Sequence, residues 1–264
     1  MIPEFAIREW RETVPWTASE QVEQDLLICR ALTEIYKDDY LAMHLAFRGG
    51  TALHKLYLSP QPRYSEDLDL VQVNAESIKE TYDHIRDVLS FLGEPKVKQK
   101  KNNNTLVFRL ESEIAPVVPI HLKVEINCKE HFHVLPMNEV PFSVNNMWYK
   151  GDCRILTYQL DELIGTKLRA LYQRRKGRDL YDLYKALTIA DVNADEVIRC
   201  YKHYMQFVVS QPPTYKLFID NMEEKMRDPE FLGDIQSLIR PGEIFDPMQG
   251  YEIVKKTLID RLQK

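Results

Sequence analysis

The sequence predicts an α+β fold, with a mixed sheet flanked by helices up to about residue 150 and an all-helical stretch from there to the end. Three observations predict it. Residues 105–110 and 120–127 alternate apolar and polar side chains with period two, as half-buried strands do. Residues 45–48, apolar up to Arg48, form a short strand candidate that stops at Gly49-Gly50 and leads into 51–57, which reads as strand, glycine turn and helix in succession. From about Leu156 onward apolar residues recur at steps of three and four.

Taken in order, residues 17–36 read as a helix: Thr17 and Glu20 have capping-box spacing, and Val22, Leu26, Cys29, Leu32 and Tyr36 line one face. Residues 66–73 read as a strand, and 76–92 as an amphipathic helix stopped by Gly93. The stretch 96–104 is polar and basic. Helices are expected near 157–175, 178–189, 194–209, 214–226 and 250–262, punctuated by Pro212-Pro213, Pro229, Pro241-Gly242 and Pro247.

Composition narrows the class. With 264 residues, 44% hydrophobic and 28% charged, the chain can bury a core and lies outside the disordered and collagen-like ranges. Its apolar stretches, such as 41–47, fall far short of the roughly 18 residues of a membrane span, and Met1-Ile2-Pro3-Glu4-Phe5 lacks a secretory pattern. A cytoplasmic protein without membrane contact is expected. Cys29, Cys128, Cys153 and Cys200 include no C-x-x-C pair, so reduced cysteines are expected. The formal charge of −5 rules out a general polycation, so a nucleic-acid partner would have to meet a local basic patch.

The sharpest chemical feature is Ser65-Glu66-Asp67-Leu68-Asp69-Leu70. Aspartate is rare in strands, and period two puts Asp67 and Asp69 on one face. Two carboxylates so close repel one another, and a hard divalent cation such as Mg²⁺, which keeps waters and accepts phosphate oxygens, relieves this; a solvated edge strand with two harmless acids is the plainer reading. Gly49-Gly50-Thr51 offers bare backbone and a hydroxyl to a polyphosphate, where an ordinary tight turn is the alternative. Glu125, on the polar face of 121–127 with Lys123 and Asn127, could complete a metal site or simply be solvated.

Lys167 falls in an apolar helical stripe with Leu160, Ile164 and Leu171. Its stem either snorkels or delivers an ammonium to a phosphate or carboxylate. Arg174-Arg175-Lys176-Gly177-Arg178 then forms a basic cluster ahead of Asp179 and Asp182, one turn apart, a pattern that commonly marks a salt-bridged surface. His131 and His133 lack further ligands at zinc spacing. No G-x-S-x-G, H-E-x-x-H or P-loop motif occurs.

Phe47-Arg48-Gly49-Gly50-Thr51-Ala52-Leu53, Arg63-Tyr64-Ser65-Glu66-Asp67-Leu68-Asp69-Leu70, Lys123-Val124-Glu125-Ile126-Asn127, then Lys167 with the run from Arg174 to Asp182, together resemble the AbiEii/AbiGii nucleotidyltransferase family, which includes MenT-type toxins. The similarity spans about residues 45–190. It implies a DNA polymerase β-like nucleotidyltransferase fold, with 1–150 as the α+β core and 151–264 as a helical domain completing the active site. It further implies a Mg²⁺-dependent toxin of a bacterial toxin–antitoxin system that moves a nucleoside monophosphate from an NTP to an acceptor hydroxyl.

By that resemblance Gly49, Gly50, Thr51 and Ser65 bind the nucleotide together with Lys167, Arg174 and Arg178. Asp67 and Asp69 hold metal, with Glu125 as a third carboxylate. Lys167 and Asp182 are catalytic, Asp179 competing with Asp182 for the role. The implied partners are an NTP, RNA at the tRNA acceptor end, and a cognate antitoxin protein. Seven basic residues between Lys167 and Lys185, and four lysines between Lys96 and Lys101, could grip RNA phosphates. Alternatives are a small-molecule or protein hydroxyl as acceptor, a silent nucleotide- or RNA-binding module, and a metal-dependent phosphoesterase.

Overall fold

Alternation along the first half becomes a seven-stranded sheet in the computed structural model, which describes residues 2–100, 102–209 and 211–263. The chain divides into two units: Met1–Leu56 with Tyr64–Phe132 and Met137–Tyr158, and Tyr57–Arg63 with His133–Pro136 and Gln159–Lys264. Among the described residues no helix is long and apolar enough to cross a membrane.

The first unit runs α1 (Glu4–Arg11), α2 (Ser19–Lys37), α3 (Asp39–His44), β1 (Leu45–Arg48), α4 (Gly49–Ala52), β2 (Asp67–Gln72), α5 (Ile78–Val88), β3 (Lys96–Lys100), β4 (Asn103–Glu111), β5 (Pro119–Asn127), β6 (Asn138–Asn145) and β7 (Lys150–Thr157). α4 continues into a π-helical turn, Leu53–Tyr57. The strand order is β3-β4-β5-β2-β1-β7-β6. β2 pairs with β5, and β1 with β7, in parallel; the other neighbours are antiparallel, so the sheet is mixed as expected.

One face of the central strands is apolar: Leu68, Leu70, Leu106, Phe108, Leu122, Val124 and Ile126 are all buried. α2 packs on β5, β6 and β7 and buries Leu26, Ile28, Leu32 and Ile35 completely, each such side chain contributing about 1.5–3 kcal/mol. Its start differs from the expected capping box. The helix begins at Ser19, so the N-cap position falls on Ala18, which has no side-chain oxygen to cap it; Arg11 donates to the Ser19 hydroxyl at 2.7 Å and the Thr17 carbonyl at 2.8 Å.

Three strands and α1 escape the sequence patterns. β3, Lys-Val-Lys-Gln-Lys, is an edge strand whose lysines discourage further pairing, and its polarity hides it. Lys101, counted in the expected basic patch, lies outside the described residues. β6 is the opposite edge and carries Pro141, which an edge tolerates. β7 occupies residues through Thr157, where a helix was expected to begin; the helix starts at Leu160.

The second unit comprises α6 (Leu160–Gln173), α7 (Gly177–Ile189), α8 (Ala194–Val208), α9 (Tyr215–Lys225), α10 (Pro229–Gly233) and α11 (Pro247–Thr257). α6 packs on α7 and α8, and α7 on α11. Glu162 is fully buried and accepts bonds from the Val134 and Leu135 amides and the Tyr204 hydroxyl, each at 2.8 Å, which ties His133–Pro136 to α6 and α8. Three donors offset the cost of burying its charge.

Candidate active site

The Asp67–Asp69 pair sits where period two puts it. Both side chains are half-buried on one face of β2, while Leu68 and Leu70 point into the core. In the parallel ladder Asp67 is the partner of Lys123 and Asp69 that of Glu125, so these four side chains share a sheet face. The Lys123 ammonium lies 3.2 Å from Asp67 Oδ1. Partial burial acts to lower its pKa, but Asp67 beside it raises it above the ordinary lysine value. Glu125 Oε2 accepts a long bond, 3.4 Å, from Asn103 Nδ2.

The glycine turn abuts this face. Gly49 has φ +80°, a conformation costly for any L side chain, and a Cβ there would overlap the Asp69 carboxylate. Arg48 is the ladder partner of Asp69 and reaches Glu130 at 2.6 Å. The Thr51 hydroxyl, expected to face a phosphate, is turned inward and buried: it donates to the Asp67 carbonyl at 2.6 Å, so the Ser65 hydroxyl 2.8 Å away donates to it. Thr51 and Ser65 thus brace the approach to β2, and the backbone at Gly49 and Gly50 is what the turn can offer an anion.

Asp67 and Asp69 fit magnesium as hard oxygen donors that leave room for waters and substrate oxygens, the usual arrangement for that ion. Among the described residues no three His, Cys, Asp or Glu side chains converge on a metal-sized point, Glu125 included. His131 and His133 each contact a backbone carbonyl through Nδ1, of Gln72 at 3.0 Å and Leu135 at 2.7 Å. The four cysteines are free, Cys29 and Cys200 being buried.

The other candidates lie in the second unit. Lys167 neither snorkels nor stands open: it is 7% exposed, 2.7 Å from Asp182 Oδ2 and 3.3 Å from Asp179 Oδ1. Arg63 grips Asp182 with Nε at 2.6 Å and Nη2 at 2.8 Å, and Arg174 grips Asp179 with Nε at 2.6 Å and Nη2 at 2.7 Å. Burial alone would raise the Asp179 carboxyl, but Lys167 and Arg174 hold it below the usual range. Both aspartates are fully buried and both touch Lys167.

The basic run that follows has acidic partners the local sequence does not reveal. Arg175 pairs with Glu224 and with Asp228, Lys176 with Asp234 at 3.3 Å, Arg178 with Asp234 at 4.0 Å, and Lys185 with Glu243 at 2.5 Å. The salt-bridged reading of that run therefore holds. Arg63 escaped role assignment because its partner is 119 residues away and no spacing rule connects them.

The profile of the family "Nucleotidyl transferase AbiEii toxin, Type IV TA system" matches residues 30–254. The chain belongs to that family. This AbiEii member is therefore a nucleotidyltransferase toxin of a type IV toxin–antitoxin system by membership. Its fold is similar to that of MenT4, a nucleotidyltransferase toxin from Mycobacterium tuberculosis, with a TM-score of 0.65 at 17% identity over 100% of this chain and 94% of the other. It is also similar to a putative nucleotidyltransferase from H. pylori, with a TM-score of 0.53 at 17% identity over 93% and 96% of the two chains. At that identity the likeness concerns the fold. No curated protein matches the sequence.

Proposed function

We propose that this AbiEii member transfers a nucleoside monophosphate from an NTP to the 3′ hydroxyl of tRNA, in the cytoplasm, with magnesium as cofactor, and that a cognate antitoxin protein restrains it. The observation that carries the transfer reading is the same-face pair Asp67–Asp69 against the positive-φ turn at Gly49. Magnesium held by Asp67 and Asp69 would neutralise triphosphate charge and acidify the attacking hydroxyl. Gly49 and Gly50 leave bare backbone for a phosphate to approach, and the Thr51–Ser65–Asp67 bonds hold that turn against β2. Glu125, beside Asp69 on the neighbouring strand, adds negative charge to the same face.

Lys167, Asp179, Asp182 and Arg63 act together as a buried ion cluster that keeps α6 and α7 in register. Arg174, half exposed beside Asp179, and Arg178, beside Asp234, are the partly exposed cations able to turn toward a phosphate. For RNA the better-supported surface is β3. Lys96, Lys98 and Lys100 share one face of an exposed edge strand, and among the described residues none of the three has a carboxylate within ion-pair distance. Charges that are not neutralised internally are the ones a nucleic-acid backbone can use.

The test is incubation with each α-labelled NTP, Mg²⁺ and total bacterial RNA, beside Asp69→Asn, with sequencing of tRNA 3′ ends. Label entering tRNA only with the wild type supports the proposal. Label entering protein or a small molecule instead rejects tRNA as acceptor, and no label in any fraction rejects the transfer reading.

A further inference from the structure

We propose that Lys123 is the resident counter-ion of Asp67, and that it changes partner, from this carboxylate to the triphosphate, when metal and nucleotide bind. The inference rests on the reading of Asp67 and Asp69 as metal ligands. Asp67 and Lys123 are direct partners in the β2–β5 ladder, so both side chains rise from the same sheet face. Neighbouring strands are only about 4.8 Å apart, well within the reach of a lysine stem, so the ammonium folds back to the carboxylate and has length to spare. It lies 3.2 Å from Asp67 Oδ1.

Both side chains keep more than a third of their surface, 38% for Lys123 and 36% for Asp67. A divalent ion approaching Asp67 therefore meets a cation already there. Two cations at one carboxylate repel, so Lys123 lowers the affinity of the bare protein for the ion. A bound triphosphate reverses the sign, because it brings negative charge to the same face and gives the ammonium a second set of oxygen acceptors. Lysine suits the exchange: it is a compact charge with three rotatable donors on a flexible stem, where an arginine fork would be committed to one geometry. Glu125, two residues along the same face, is the other carboxylate within this group, and it belongs beside Asp69.

The proposal predicts shifts of opposite sign. Mn²⁺ binding without nucleotide is measured by electron paramagnetic resonance for the wild type, Lys123→Met, Lys123→Gln and Asp67→Asn, and binding of the α,β-methylene analogues of the four NTPs at saturating Mg²⁺ by calorimetry. The two Lys123 variants should bind Mn²⁺ about two- to fivefold tighter, the range expected of a partly exposed ion pair, and bind the analogue they favour weaker by at least that factor. Their melting curves should match the wild type. Unchanged Mn²⁺ affinity, or shifts of the same sign in both measurements, overturns the partner exchange. A wild type and Asp67→Asn that bind Mn²⁺ equally would instead remove the metal reading, and the exchange with it.

Discussion

Gly49 and Asp69 interlock: the glycine has φ +80°, and a Cβ on it would occupy the space taken by the Asp69 carboxylate. The turn and the metal-ligand candidate are thus one piece of architecture. Gly49→Ala should cost about 1–2 kcal/mol from the backbone alone and displace Asp69 as well. The expected outcome is a lower melting temperature together with transfer activity reduced more than the stability loss explains. Asp69→Asn, by contrast, should lose transfer with an unchanged melting curve.

Asp182 is fully buried between Lys167 and Arg63. Removing one partner of a buried ion pair leaves the others uncompensated and costs about 3–5 kcal/mol. Asp182→Ala should therefore unfold at much lower urea concentration than the wild type. An Asp182→Ala protein of normal stability would mean that the cluster does not hold the helices.

Of the two basic patches legible in the sequence, the run from Arg174 to Lys185 is neutralised by its own fold, whereas among the described residues Lys96, Lys98 and Lys100 have no carboxylate within ion-pair distance. Replacing Lys96, Lys98 and Lys100 together with Gln should weaken RNA binding and reduce the salt slope of log K by about 2, as loss of three single-strand phosphate contacts requires. Arg175→Gln with Lys176→Gln should leave the slope unchanged, since Glu224, Asp228 and Asp234 already hold those charges. Filter binding across a salt series measures both.

Lys225 is 2% exposed and donates to the carbonyls of Leu171 and, at 2.9 Å, Tyr172, at the end of α6. Burial lowers its pKa from 10.5 to about 8. A neutral amine still has two N–H groups for the two carbonyls, so both bonds survive deprotonation. Because the folded value lies below the unfolded one, the unfolded chain binds more protons between about pH 8 and 10.5. Stability from this group is present above that window and lost as pH falls through it. Urea titrations should show wild-type stability rising relative to Lys225→Met across the window, with a slope approaching ~1.4 kcal/mol per pH unit.

Much of this was legible in the residues alone. Period two places Asp67 and Asp69 on one face whatever surrounds them, a glycine pair after an apolar run marks a turn, and spacings of three and four mark α6 to α9, because these are properties of one segment of backbone. Edge strands β3 and β6 were illegible for the same reason: with one edge open to solvent they do not need the apolar alternation that identifies a strand. Only the tertiary structure decided where charges are neutralised. It set Arg63 on Asp182, Lys123 on Asp67 and Glu224, Asp228 and Asp234 on the basic run, pairings made across the chain by packing and ladder register. A side chain's type is local, but whether its charge is free to act on a substrate depends on which distant residue folding brings within about 4 Å of it, where the Coulomb term becomes decisive.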